Sequence, residues 1–243
     1  MVIAATNSSV DVIAGKLTPG FKFIENYQNL LANQDIYRGL FNSFKYSIVQ
    51  TVVSIVICSL AGYGFEVYHD KYKDALMGVI LMSMMIPFVS MMVPLFRMFS
   101  AVNLLNTTIG FILPSLSTPF LIMLFRSSAR SFPMEMIEAA RIDGLGEFQI
   151  FVKMFVPTMK STYAAAITVT FMNAWNNYIW PKVIMQDSSS QTMPMMISNL
   201  TSGYFTDYGM LMLAVFITTL PTAVLFLFMQ KNFREGLTGS VKG

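Results

Sequence analysis

YSIVQTVVSIVICSLAGYGF, residues 46–65, runs for twenty positions without a charge. A helix needs about 20 apolar residues to cross about 30 Å of hydrocarbon, so this stretch is long enough to span a bilayer. Four more uncharged apolar runs follow, at 75–96, 107–125, 161–181 and 208–230. Backbone amides in lipid must be satisfied within their own segment, which makes helices the natural reading of all five. The chain is therefore expected to be an all-α membrane protein with five spanning helices. Composition agrees. Of 243 residues, 54% are hydrophobic and 12% charged, with mean hydropathy +0.56. A soluble domain carries about 25% charged residues, twice this share.

Prolines at 87, 94, 114, 119 and 221 sit inside the runs and predict kinked helices around a pathway. Gly62, Gly64, Ala164, Ala165 and Ala166 offer small faces for close helix contact. The net charge of +3 is too small to argue for a nucleic-acid partner. The single Cys58 excludes an internal disulfide and a cysteine metal cluster, and the single His69 makes no histidine metal site. The 21 methionines read as soft filling between helices, since no cluster of Cys or His accompanies them.

Residues 1–40 are polar and mixed, an expected extracytoplasmic segment ahead of a transmembrane domain at 41–243. Phe21, Phe23, Ile24, Tyr27, Leu30 and Leu31 could form one face of an amphipathic helix on the membrane. Five crossings place alternate loops on opposite sides. One side holds ten of the lysines and arginines and the other six, which puts the first side in the cytoplasm. The loop at 130–157 and the C-terminus are then inside, and 1–40 and 183–207 outside. An external N-terminus with no signal is hard to insert, so a sixth helix missing at the N-terminus is expected.

The cytoplasmic loop carries the densest chemistry. Ser131 can cap a helix and Pro133 suits its first turn. Glu135 and Glu138 lie early, where the helix dipole favours acids. Gly144 suits a left-handed cap, and 148–155 reads as a second short helix that Pro157 ends. Ala139 and Ala140 would let another backbone approach, while Glu138, Arg141 and Asp143 offer charge pairing. A docking elbow and a plain amphipathic surface loop both fit this pattern.

Glu138-Ala139-Ala140, three residues, Gly144, nine residues, then Met154-Phe155-Val156-Pro157 resembles the coupling motif of ABC-importer permeases. In that motif Ile-x-Leu-Pro ends the stretch, so Met154 and Val156 are apolar replacements. The wider chain resembles the maltose and multiple-sugar branch. The pieces are Asn42-Ser43, Ala61-Gly62-Tyr63, Ile86-Pro87, Pro94-Leu95-Phe96, Pro133, Asp143-Gly144, Trp175-Asn176-Asn177 and the ending Gly239-Ser240-Val241-Lys242-Gly243. The resemblance implies a type I ABC-importer transmembrane domain in the cytoplasmic membrane of a prokaryote. It implies a second homologous permease, two ATPase subunits and an external solute-binding protein. Glu138 would face a basic residue of the ATPase, and Gly239, Lys242 and Gly243 would reach toward the ATPase interface. ATP and its magnesium would be held by the partner, leaving this chain without a cofactor and without catalytic residues.

The chain itself has no G-x-x-x-x-G-K-[ST] phosphate loop, no G-x-S-x-G elbow and no H-E-x-x-H pair. The run at 161–181 is the most polar, with Asn173, Trp175, Asn176, Asn177 and Tyr178. Asn173 and Asn177, one turn apart, would share a face, and amides with rings suit a neutral, hydroxyl-rich solute. Equally, the aromatic residues fit an interfacial belt and the asparagines fit helix-to-helix glue. Tyr63, Ser83, Ser90, Ser115 and Ser117 are weaker pathway candidates. The outer loop 183–207 would meet the binding protein by resemblance, or serve as a solvated connector. The expected function is sugar or oligosaccharide import by alternating access. The alternatives are an ABC importer for another solute, and a secondary transporter or channel, for which an ionisable residue inside a span would be expected.

Overall fold

A computed structural model describes residues 1–203 and 205–239, with 231–239 as helical backbone only. The regular structure of the described residues is all helical, with no strand among them. Three short helices come first: α1 (Val2–Ala5), α2 (Ser9–Ile13) and α3 (Phe23–Asn33). The long α4 (Ile36–Val67) is followed by α5 (Lys71–Met82), α6 (Phe88–Ala101), α7 (Thr108–Ile112) and α8 (Pro119–Arg130). The stretch after α8 gives α9 (Met134–Ile142), α10 (Glu147–Ile150), a π-helical turn (Phe151–Phe155) and α11 (Val156–Thr158). Then come α12 (Lys160–Trp175), α13 (Ile179–Ile184), α14 (Met193–Leu200) and α15 (Tyr208–Gly239).

Only two of the five expected spans are single uninterrupted helices of membrane length: α4, and residues Tyr208–Gln230 of α15. The run at 75–96 breaks at Ile86-Pro87, where Lys71–Met85 and Phe88–Ala101 meet at 96°. The run at 107–125 breaks before Pro119, between Thr108–Ser115 and Pro119–Arg130, at 56°. The cause is local. A proline ring pushes the residue before it out of the helical region, and Ile86 (ψ 116°) and Thr118 (ψ 128°) are both extended. Pro94 and Pro221, by contrast, stay inside α6 and α15. The run at 161–181 stops at Trp175 and resumes at Ile179, so it is two helices. The expected boundary at residue 40 falls inside α4, which begins at Ile36.

The chain divides into two compact units, each assembled from separated stretches. One comprises Met1–Ser47, Phe96–Phe111 and Met172–Leu227. Its core gathers Ala5, Leu30, Ile36, Met193, Met196, Leu200, Met210, Leu211, Leu213 and Ala214, so methionine does fill the interior here. In α3 the buried side is Asn26 and Leu30, while Phe21, Phe23, Ile24 and Leu31 are exposed. Of the six residues read as one face, Leu30 is buried and Tyr27 half-buried against this core, and on the same side the Asn26 amide donates to the Ala5 and Asn7 carbonyls at 3.0 Å. The first part of the stretch 183–207 is tied to α4. Asn42 donates to the carbonyls of Ser189 and Gln191 at 2.9 Å, and the Ser43 hydroxyl accepts the Met193 N–H that opens α14.

The other unit comprises Ile48–Leu95, Ile112–Phe171 and the chain from Phe228 onward. Here α4 lies directly on α8. A Cβ on Gly62 would sit 2.6 Å from the Phe125 Cβ and 2.7 Å from the Arg126 nitrogen, so only glycine fits. Gly64 faces open space instead, so one of the two glycines read as contact positions is not one. Arg126, nearly buried on α8, bonds Glu66 of α4 at 3.1 Å and Asp74 of α5 at 2.5 Å, and Arg130 adds a second bond to Glu66.

Candidate functional site: the helical elbow at 134–158

The elbow is built from its glycine outward. Gly144 has φ +82°, a conformation that costs other residues about 1–2 kcal/mol. With it, the Gly144 N–H reaches the Arg141 carbonyl at 3.1 Å and the Leu145 N–H reaches the Ala140 carbonyl at 3.0 Å. These bonds close the end of α9 and turn the chain sharply into α10. At the other end of α9, Ser131 bonds back to the Ser128 carbonyl and does not cap the helix; Pro133 occupies the cap position. The expected second helix at 148–155 is one α turn followed by a π turn. Phe151 and Phe155, four positions apart, lie on the same side, with ring centroids 5.6 Å apart.

One side of the elbow is core. Ile137, Ala140, Ile150, Phe151, Phe155 and Met159 are buried with Ala129, Phe132 and Tyr63. Tyr63 projects from the end of α4 onto Phe155 (4.9 Å) and Phe151 (5.3 Å). It packs the end of α4 against the elbow. The other side is open. Glu138, Ala139, Arg141, Asp143, Gly144 and Pro157 are exposed. Ile142 is 86% exposed and Phe148 70%. The motif pair Ala139-Ala140 is split: Ala139 faces out and Ala140 into the chain's own interior.

Arg141 is paired within the chain. Its Nε donates to Glu147 Oε1 at 2.7 Å and its Nη2 to Oε2 at 3.2 Å. The Tyr68 hydroxyl donates to the same carboxylate at 2.5 Å. Chiefly the guanidinium, and then the phenol, hold the Glu147 carboxyl below its ordinary range, so it is ionised at neutral pH. Of the acids singled out in the motif, Glu138 and Asp143 remain on the open face. Tyr68 and Glu147 were not legible as site residues, because their bond joins positions 79 apart in sequence. Ile142 and Phe148 lay in plain view, as apolar residues in a polar loop, and were passed over.

The second set of expected site residues is dispersed. Trp175 is buried and its indole donates to the Thr218 carbonyl at 3.0 Å. That carbonyl lies next to the one that Pro221 deprives of its helical donor. Trp180 is likewise buried, donating to the Gly110 carbonyl at 3.1 Å, so neither tryptophan belongs to an interfacial belt. Because α12 ends at Trp175, Asn173 and Asn177 do not share a continuous helix; Asn177 folds back to the Ala174 carbonyl. Tyr178 pairs its hydroxyl with Ser198 at 2.8 Å. Asn176 lines a groove of about 370 Å³ with Pro194, Ile197, Val215, Thr218, Thr219 and Thr222. No charge lines it. The proposed C-terminal contacts Lys242 and Gly243 lie outside the described residues, and Gly239 is described as backbone alone.

Residues 39–238 match the family of binding-protein-dependent transport system inner membrane components. The lactose transport system permease protein LacG of Rhizobium radiobacter is 41% identical over 242 residues, covering 100% of this chain and 89% of LacG. The arabinooligosaccharides transport system permease protein AraQ of Bacillus subtilis strain 168 is 35% identical over 229 residues, covering 93% of this chain and 82% of AraQ. A chain from a bacterial ABC transporter that imports the acidic polysaccharide alginate shares the fold. Its TM-score is 0.82 at 19% identity, over 96% of this chain and 88% of that one. The chain belongs to this family: it is an inner-membrane permease component of a binding-protein-dependent ABC importer. The family is one of transporter permeases, and membership in it implies an ATPase and a binding protein as partners.

Proposed function

We propose that this chain carries a sugar or oligosaccharide across the cytoplasmic membrane by alternating access, driven through the elbow by ATP hydrolysis in partner subunits. The complete importer would hold a second homologous permease, two ATPase copies that bind ATP and magnesium, and an external binding protein. The elbow and the C-terminus would be cytoplasmic, and the stretch at 183–207 would face the binding protein. One observation carries the reading. The elbow is apolar on both sides, with Ile137, Phe151 and Phe155 locked inward and Ile142 and Phe148 left outside. A plain amphipathic surface loop turns mostly polar groups outward. Exposed apolar residues rimmed by Glu138, Ala139 and Asp143 have the makeup of a docking surface.

The cargo reading rests on the lactose and arabinooligosaccharide relatives and agrees with the uncharged groove beside Asn176. Hydroxyl-rich neutral solutes need hydrogen-bond acceptors, and Asn176 Oδ1 and three threonine oxygens supply them. Proteoliposomes holding the assembled importer test the proposal. Uptake of a neutral oligosaccharide should require both the binding protein and internal ATP. Uptake driven by an ion gradient without ATP would overturn it in favour of secondary transport.

A further inference from the structure

The end of α4 and the residue that follows it do two separate jobs at the elbow. On the inside, Tyr63 lies against Phe151 and Phe155. On the outside, Tyr68 (its N–H still bonded to the Gly64 carbonyl) holds Glu147 with its hydroxyl. Glu147 opens α10, and the guanidinium fork on it comes from the last turn of α9. One carboxylate therefore receives three donors from two other elements: the end of the first long helix and the first arm of the elbow. Aromatic stacking alone permits sliding and pivoting. A carboxylate gripped by a fork and a phenol fixes direction as well as distance. Further along the same turn, Glu66 is held by Arg126 and Arg130 of α8, so α4 and α8 move as one piece at this end.

We propose that the Tyr68–Glu147–Arg141 contact is the positioning tie that makes α4 follow the elbow, so that displacement of α9 and α10 is delivered to the transport helices. The residues touch neither cargo nor nucleotide. They act by removing the pivot that the aromatic contact would otherwise allow. The inference rests on the docking role of the elbow argued above.

The test uses the whole importer in proteoliposomes and reads solute taken up per ATP hydrolysed. Tyr68→Phe removes one exposed hydroxyl, and Glu147→Gln removes the charge while keeping the shape. Each should lower that ratio by roughly 5-fold or more, the scale of a 1 kcal/mol coupling, while assembled complex and ATP turnover persist. The double variant should be no worse than the poorer single one, because both break the same contact. Arg141→Glu should lower the ratio, and Arg141→Glu with Glu147→Arg should restore part of it. An unchanged ratio in Tyr68→Phe and Glu147→Gln overturns the tie, and so does a loss confined to the yield of assembled complex. Glu138→Lys in the same assay separates the two layers. If it abolishes uptake while the Tyr68 and Glu147 variants behave normally, docking stands and the tie fails. If it too is without effect, the docking role itself fails.

Discussion

Gly144 has the tightest conformational requirement in the elbow. Its φ of +82° is set by the turn, and its Cβ position is open space, so the penalty for substitution is strain alone. Gly144→Ala should destabilise the elbow by ~1–2 kcal/mol. The expected readout is faster hydrogen exchange at the Leu145 amide, which donates to the Ala140 carbonyl. Unchanged exchange would contradict the assignment of strain to this one residue. The glycine was legible in the sequence because a left-handed stop has few other candidates. The role of Arg141 was not. Nothing in the local pattern says whether an exposed arginine pairs with a partner or with a glutamate six positions on; that is decided by how sharply Gly144 turns the chain.

At the scale of elements, Gly62 and Gly64 form a matched pair. Gly62→Ala would drive a methyl into the α8 backbone at 2.7–2.8 Å, which side-chain movement cannot relieve. Overpacking of this kind costs about 1–3 kcal/mol. Gly64→Ala meets nothing and should be neutral or slightly stabilising, since alanine favours helix over glycine. Thermal unfolding of the purified complex should separate the two, and equal effects would contradict the contact between α4 and α8. The sequence could not distinguish these glycines, which differ by two positions and hence by about 200° around a helix. Hydrophobic runs marked out the apolar helices, but the breaks came from extended residues before Pro87 and Pro119. A run read by composition alone passes over such a break. In the same way, the turn after Trp175 dispersed an asparagine face that helical spacing had drawn as continuous.

For the whole molecule, orientation is the inference most open to direct test. The count of lysines and arginines places the elbow inside and the stretch at 183–207 outside. Cys58 is buried and is the sole cysteine, so it leaves a quiet background for labelling. Ala139→Cys should react with a membrane-impermeant maleimide only from the cytoplasmic side, and Ser188→Cys only from outside. The reverse pattern would invert the account. Cargo, unlike orientation, is not set by the fold, since a chain from an importer of an acidic polysaccharide has the same architecture. The proposed cargo site assigns it to a few side chains such as Asn176, whose replacement by alanine should then raise the solute concentration for half-maximal uptake and leave assembly with the ATPase intact.

The central claim is that the open face of the elbow receives the work of ATP hydrolysis. Glu138 stands on that face as an exposed carboxylate, with Ala139 and Ile142 beside it. The most direct test is ATP-driven uptake by proteoliposomes carrying Glu138→Lys in the assembled importer, with insertion of the chain checked in parallel. Reversing a charge at a docked interface costs about 2–5 kcal/mol, so uptake should fall at least ~10-fold with insertion unchanged. Uptake at the unmodified level, with the lysine in place, would contradict the claim.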